Sequence, residues 1–251
     1  MDDLARLLWD ARTGGQPVTR DALAAIGDLD AAFAVQRTQT GFYDKIGGWK
    51  LGATADAPMA AIGLDEPFLG PIPAQEIFDS GATVALFDDH AYFAECEITL
   101  EIGTALPPRD GGYSDAELNA AIAGWRASIE IVGLRVEGGP AGLGPKILAD
   151  GAGHRATILG GEVSPDAWNG LAASLSAGDA APEGGPANLM WGSMAEALRY
   201  LVDRQHRLSR PIAAGDILMT GTMTGMTPVK AGDTVEISIA GTKVTAQTTR
   251  A

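Results

Sequence analysis

Glu95 and Glu97 stand two residues apart in the run Glu95-Cys96-Glu97-Ile98-Thr99-Leu100-Glu101-Ile102. Side chains of a strand alternate between faces. Cys96, Ile98, Leu100 and Ile102 then share an apolar face suited to a core, and Glu95, Glu97, Thr99 and Glu101 share the other. Two carboxylates on one strand face converge on the same volume, repel, and raise each other's pKa. A divalent cation removes that cost and takes the oxygens as ligands. Hard oxygen donors favour Mg2+ or Mn2+ over zinc. The same alternation also describes a strand with one face in water. Two further residues favour a site. Glu130 lies in the apolar run Ser128-Ile129-Glu130-Ile131-Val132, where a carboxylate needs a reason to be buried. Lys50 lies in Trp49-Lys50-Leu51-Gly52, either as a site lysine or as an exposed edge-strand lysine.

Other reactive residues read more plainly. Cys96 falls between the two glutamates but on the opposite face, as a core residue and not a nucleophile. His90 sits in a loop, and His206 on the polar side of a helix. His154 follows Gly153 close to Asp150, as a loop histidine or a catalytic one. Arg135 reads as a structural ion-pair partner. Met219, Met223 and Met226 surround residues 222–227, which form either an adaptable rim or an ordinary loop.

The elements that must position these groups follow from periodicity. Leu4, Leu7, Leu8 and Ala11 recur at helical spacing, and Gly14-Gly15 ends that helix. A short helix runs through Leu23 and Ala24, and Asp28 or Asp30 caps a third. After Gly47-Gly48 the chain turns to glycine, proline and short apolar runs, as strands and loops do. Residues 83–87 and 92–102 are the clearest strands. Ser114-Asp115-Ala116-Glu117 is a capping box, predicted to open a helix through Leu118, Ile122 and Trp125. Strands are expected at 128–136 and 155–159, a turn at 179–186, and a helix at 195–208. Three strands follow at 216–220, 233–239 and 243–248, the last two joined by a tight hairpin at Ala240-Gly241-Thr242. The class is α+β, with a small helical segment (1–45) on one larger β-rich domain (46–251).

Bulk properties narrow the function. The 251 residues suffice for one sizeable core. A net charge of −14 and a pI near 4.5 argue against nucleic acid and against an anionic membrane surface. No stretch reaches the ~20 apolar residues of a membrane span. Met1-Asp2-Asp3 lacks the basic start of a signal peptide, and one cysteine allows no internal disulfide. A reducing cytoplasm is the expected setting.

Five segments occur in a telling order: Gly48-Trp49-Lys50-Leu51-Gly52-Ala53-Thr54, Glu95-Cys96-Glu97-Ile98, Ile129-Glu130-Ile131-Val132-Gly133-Leu134-Arg135, Ile147-Leu148-Ala149-Asp150 and Ala214-Gly215-Asp216-Ile217-Leu218-Met219-Thr220-Gly221. Together they resemble the hydratase/decarboxylase branch of the fumarylacetoacetate hydrolase superfamily, which holds 2-oxopent-4-enoate hydratases and 4-oxalocrotonate decarboxylases. The resemblance runs from about Ala31 to the C-terminus. It implies a mixed β-sheet rolled into a distorted barrel, the fumarylacetoacetase C-terminal-like fold. It also implies metal ligands at Glu95, Glu97 and Glu130, and catalytic roles for Lys50 and Asp150. Thr54, Phe68, Leu69, Gly151, Thr220 and Gly221 fall at substrate-binding positions. Members are homo-oligomers that break down aromatic compounds, and some work in complex with another pathway enzyme.

The implied chemistry is that of a small 2-oxo acid, whose carboxylate and keto oxygens chelate Mg2+ or Mn2+. The ion then stabilises an enolate. That electron sink serves hydration of a 2-hydroxy-2,4-dienoate or decarboxylation of an unsaturated 2-oxo diacid. C–C hydrolysis of an acylpyruvate ranks lower, because no His-Glu pair precedes Glu95. Binding of a 2-oxo acid or a partner subunit without turnover is the non-enzymatic alternative. Lys50 would hold the carboxylate or move a proton, with its pKa depressed by a neighbouring cation. The chain departs from many relatives in having Phe68 for an acidic residue, and Gly151 and Gly153 for Asn and Ser. Those departures imply a larger or less polar substrate, or a changed reaction.

Overall fold

The computed structural model describes residues 1–164, 170–180, 183–186 and 190–251. Helix α1 (Asp2–Arg12) buries Ala5, Leu8 and Ala11. Helix α2 (Leu29–Thr40) starts at Asp28, whose side chain accepts a hydrogen bond from the Ala31 amide at 2.8 Å. This cap satisfies a donor that the first turn leaves free. The two helices pack on each other and share one continuous apolar core with the strands that follow.

Those strands begin with β1 (Ile46–Gly52). A helix that periodicity does not signal, α3 (Asp56–Ile62), comes next, ending in Gly63 at φ 88°. Then follow β2 (Phe68–Pro73), β3 (Ile77–Asp79), β4 (Thr83–Leu86) and β5 (Ala91–Ile102). Helix α4 (Asp115–Ala121) carries the expected capping box between Ser114 and Glu117. It stops before Ile122 and Trp125, which belong instead to β6 (Ile122–Leu134). β6 pairs with β5 along its whole length, from Ile122 opposite Ile102 to Leu134 opposite Ala91. A complete ladder for a β-branched and aromatic segment outweighs one more helical turn.

A single turn, α5 (Lys146–Ala149), precedes β7 (His154–Glu162). Strands β8 (Ala172–Ala177) and β9 (Glu183–Pro186) pair antiparallel. The turn expected at 179–186 as a hairpin tip is shorter than that: β8 and β9 pair as a hairpin, the chain turns at 178–179, strand resumes at Glu183, and residues 181–182 lie outside the described ones. Helix α6 (Met194–Asp203), capped by Ser193, is followed by β10 (Ile217–Thr222), β11 (Thr227–Val229), β12 (Thr234–Ile239) and β13 (Thr242–Arg250). The β12–β13 hairpin turns on Ala240 and Gly241, both at positive φ, as a tight two-residue turn requires.

The strands form two mixed sheets. One runs β2-β1-β10-β5-β6-β7-β3, with β11 also on β5, and the other β4-β13-β12-β8-β9. β1/β10, β3/β7 and β4/β13 are parallel, the remaining pairs antiparallel. β13 packs against β6 and β7, so the sheets curl round a common core in a distorted barrel. The α+β class and the mixed sheet are as expected, and burial on both faces of β5 sets aside the half-exposed alternative for that strand, which required an acidic face in water. Among the described residues, no helix is long and apolar enough to cross a membrane.

Candidate active site

Pairing of β5 with β6 sets Glu95 directly opposite Glu130. Glu97 shares their face of the sheet, and all three side chains are buried. Each offers a carboxylate oxygen, and these oxygens lie within 4.8 Å of one another. Glu97 is further fixed by β10, where the Gly221 amide donates to its Oε2 at 2.9 Å. Gly221 is required twice over: its φ is +107°, and a Cβ there would stand 2.1 Å from Thr54 Oγ1. Glu97 Oε1, also buried, has no partner.

Lys50 reaches the same volume from β1. Its Nζ stands 3.0 Å from Glu130 Oε2 and donates to the Ala152 carbonyl at 3.1 Å. The ammonium has three donors, and Lys50 also lines the adjoining cavity. On the other side of Glu130, His154 Nδ1 lies 2.9 Å from its Oε1. Opposite a carboxylate, that nitrogen is the donor. Behind His154 stands Glu76, Oε2 3.9 Å from Nε2, and Glu76 is ion-paired with the buried Arg12 of α1.

Electrostatics divide these carboxyls. Burial raises Glu95 to about 8, helped by Glu130. Burial also raises Glu97 well above the usual carboxylate range, with Glu130 and Glu95 adding to it. For Glu130 burial works upward too, but Lys50 and His154 outweigh it and hold the group below its ordinary value. Burial lowers His154, so its imidazole is neutral at neutral pH. Burial works to lower Lys50, but Glu130, Glu95 and Glu97 prevail and hold it above the usual lysine value. The expected depression of Lys50 is thus not a property of the protein's own charges. Ionising all three carboxyls against one ammonium would leave two negative charges, so Glu95 and Glu97 hold their protons until a cation replaces them; Glu97 also keeps an unpartnered buried oxygen, and every donor is oxygen. That set fits a hard divalent cation.

Through Glu95 and Lys50 the cluster adjoins a cavity of about 340 Å³, with Glu97 and Glu130 behind its wall. Lys50, Thr54, Phe68, Glu95 and Thr222 are among its walls. The Phe68 ring is nearly buried, 5.3 Å from Lys50 Nζ, and covers Gly52, where a Cβ would stand 2.2 Å from Cζ.

Of the expected site residues, the structure brings together Glu95, Glu97, Glu130 and Lys50, and sets Thr54 and Phe68 in the cavity wall. It does not bring Asp150 to them. Arg135 Nε and its amide engage the two Asp150 oxygens at 2.8 and 2.9 Å, and Asp150 is absent from the cavity walls. Both oxygens are held by a buried guanidinium and an amide, so Asp150 forms a buried ion pair with Arg135 away from the cavity. Leu69, Gly151, Thr220 and Gly221 are not wall residues either. The Leu69 carbonyl accepts from Gln36, Gly151 faces Tyr43, Arg12 and Arg135, and Thr220 Oγ1 donates to the Ile98 carbonyl. Gly221 acts through Glu97. Cys96 is buried in the core, its thiol pushed up to about 12 by burial and then by Glu97. Glu101 leaves the cluster for Arg126, at 3.3 Å. A His-Glu pair does exist in His154 and Glu76, but neither lines the cavity. Sequence reasoning missed Arg12 and Glu76, whose spacing carries no signal, and the helix α3 that lines the mouth.

The chain is similar along nearly its whole length to known proteins. It is 32% identical over 246 residues to 2-keto-4-pentenoate hydratase 2 of Dechloromonas aromatica (strain RCB), covering 94% of this chain and 92% of that one. It is 27% identical over 226 residues to 4-oxalocrotonate decarboxylase of Pseudomonas sp. (strain CF600), covering 84% and 80%. Its fold matches the 4-oxalocrotonate decarboxylase of Pseudomonas putida G7, solved with calcium and acetate, at a TM-score of 0.82, 21% identity, and 98% and 96% coverage. Residues 54–249, which hold every candidate ligand, match the model of the fumarylacetoacetate (FAA) hydrolase C-terminal family, and the chain belongs to that family.

Proposed function

We infer that the protein is a divalent-ion-dependent lyase that hydrates a 2-hydroxy-2,4-dienoate. One arrangement carries this reading: three converged carboxylates and a buried lysine meet at a largely apolar cavity, into whose wall Glu95 and Lys50 reach. Glu95, Glu97 and Glu130 would hold Mg2+ or Mn2+, which when bound supplies Lewis acidity toward the oxygens of a 2-oxo or 2-hydroxy acid. Gly221 and His154 orient two of those carboxylates through their 2.9 Å hydrogen bonds. Lys50 is the proton donor. Glu130 and the Ala152 carbonyl fix its ammonium, and the surrounding carboxylates keep it charged. It delivers a proton to the far carbon of the dienol and is recharged by the proton the 2-hydroxyl gives up, and water then adds its hydroxyl and its hydrogen across the conjugated carbon–carbon double bond. Phe68 and the apolar walls keep bulk water from the enol while it waits for that proton.

Hydration stands ahead of decarboxylation because, among the described residues, the wall offers no second cation for the distal carboxylate of a diacid. The greater identity to hydratases agrees with that order. The assignment also carries a homo-oligomeric state and a cytoplasmic setting, as expected from the family. Incubation of the Mg2+-loaded protein with 2-hydroxypenta-2,4-dienoate and with 4-oxalocrotonate decides between the reactions. Water addition to the first without CO2 release from the second is expected; the opposite pattern makes the protein a decarboxylase.

A further inference from the structure

We propose that the acid taken is a monocarboxylate with an apolar tail longer than that of the five-carbon dienoate. The inference rests on the 2-oxo-acid lyase reading and names its substrate class. Among the described wall residues only Lys50 and Glu95 are ionisable, and both belong to the ion end. Apart from the hydroxyls of Thr54 and Thr222, the side chains of the remaining wall are apolar. Pro58 and Ile62 come from α3, Val132 and Leu134 from β6, Ile147 from α5, and Met226 from the loop after β10.

A second carboxylate entering this volume would lose its water and gain no cation. An alkyl or phenyl tail would lose only unfavourable hydration. Space permits it, for about 340 Å³ falls in the range of drug-sized ligand sites and exceeds the needs of a five-carbon acid. The wall is also preformed. The Gly142 amide donates to the Ala61 carbonyl at 2.9 Å and the Gly144 amide to that of Ile62 at 2.8 Å, fastening α3 to the loop before α5. Met226, 37% exposed, gives the mouth a flexible thioether that adapts to tails of different shape.

Binding and turnover are to be measured separately on the Mn2+-loaded protein. Calorimetry with pyruvate, 2-oxopentanoate and 2-oxohexanoate should show affinity rising about fourfold per methylene. 2-Oxoadipate, which exchanges the terminal methyl of 2-oxohexanoate for a carboxylate of the same reach, should bind at least about 100-fold more weakly than 2-oxohexanoate. In Ile62→Lys, which sets a cation at the C-terminal end of α3, that gap should shrink about tenfold or more. A flat series, or a diacid that binds as well as 2-oxohexanoate, overturns the proposal. Graded binding without hydration of any 2-hydroxydienoate overturns the lyase reading and supports the tail. Hydration with a flat series does the reverse, and failure of every 2-oxo acid to bind overturns both.

Discussion

In the ion cluster beside the cavity Glu95, Glu97, Glu130, Lys50 and Gly221 come from β1, β10, β5 and β6, four neighbouring strands of one sheet. At the other end Pro58, Ile62, Ile147 and Met226 come from two helices and a loop. The first set is positioned by ladder register, which fixes side chains to a fraction of an ångström and leaves little freedom to drift. The second is held by helix packing and a few backbone hydrogen bonds, where a side chain can change without moving its neighbours. Chemistry common to a family suits the rigid end, and choice of substrate suits the adaptable one.

This division is broken most forcefully at Lys50. Lys50→Met should lower turnover by about 10²- to 10⁴-fold, the usual loss with a positioned proton donor. Metal affinity and the ranking of 2-oxo acids by tail should survive; if tail ranking collapses too, the ends are not separable. A smaller effect is expected at His154, which touches Glu130 but not the cavity. His154→Ala should weaken Mn2+ binding about 10- to 100-fold, as loss of a ligand-orienting partner does. Unchanged affinity in a calorimetric titration would reduce the Arg12–Glu76–His154 row to packing.

The raised carboxyls of the ion end predict a pH dependence. Glu95 rises from 4.5 to about 8 in the folded protein, so unfolding lets it release a proton in that window. Stability of the ion-free protein is then full below the ordinary value of 4.5 and falls as pH rises toward about 8. Thermal melts in chelator should show that fall, and saturating Mn2+ should remove it. A melting temperature in chelator that climbs over the same range would contradict the assignment. The smallest effect concerns Gly151, at φ 58° beside Tyr43 Oη and Arg12 Nη1, two buried polar atoms without partners. Asparagine tolerates that backbone, and its Cβ would stand 3.4 Å from the first atom and 3.5 Å from the second, with an amide acceptor and donor to offer them. Gly151→Asn should stabilise by about 0.5 kcal/mol, read as a higher denaturant midpoint, with turnover unaffected because the site lies behind the cavity.

The same contrast governs what the sequence disclosed. Glu95 and Glu97 are visible because a strand's two-residue period is local, and Glu130 because a carboxylate in an apolar run stands out. Their meeting depends on the register of β5 against β6, which only the ordered family motifs implied. α3 escaped notice because seven residues containing Pro58 show no clear helical period. Asp150 was assigned to catalysis by its motif, yet its partner Arg135 lies fifteen residues away across a glycine-rich loop that no spacing rule closes. Arg12 and Glu76 meet across 64 residues for the same reason.

The central claim, an ion held by three glutamates, is tested most directly by titrating Mn2+ into the protein and into Glu97→Gln, a change that keeps an acceptor for Gly221 while removing the charge. At least about a 100-fold loss of affinity is predicted, in keeping with loss of a ligand charge rather than of an outer partner. Equal affinity in the two proteins would contradict the account.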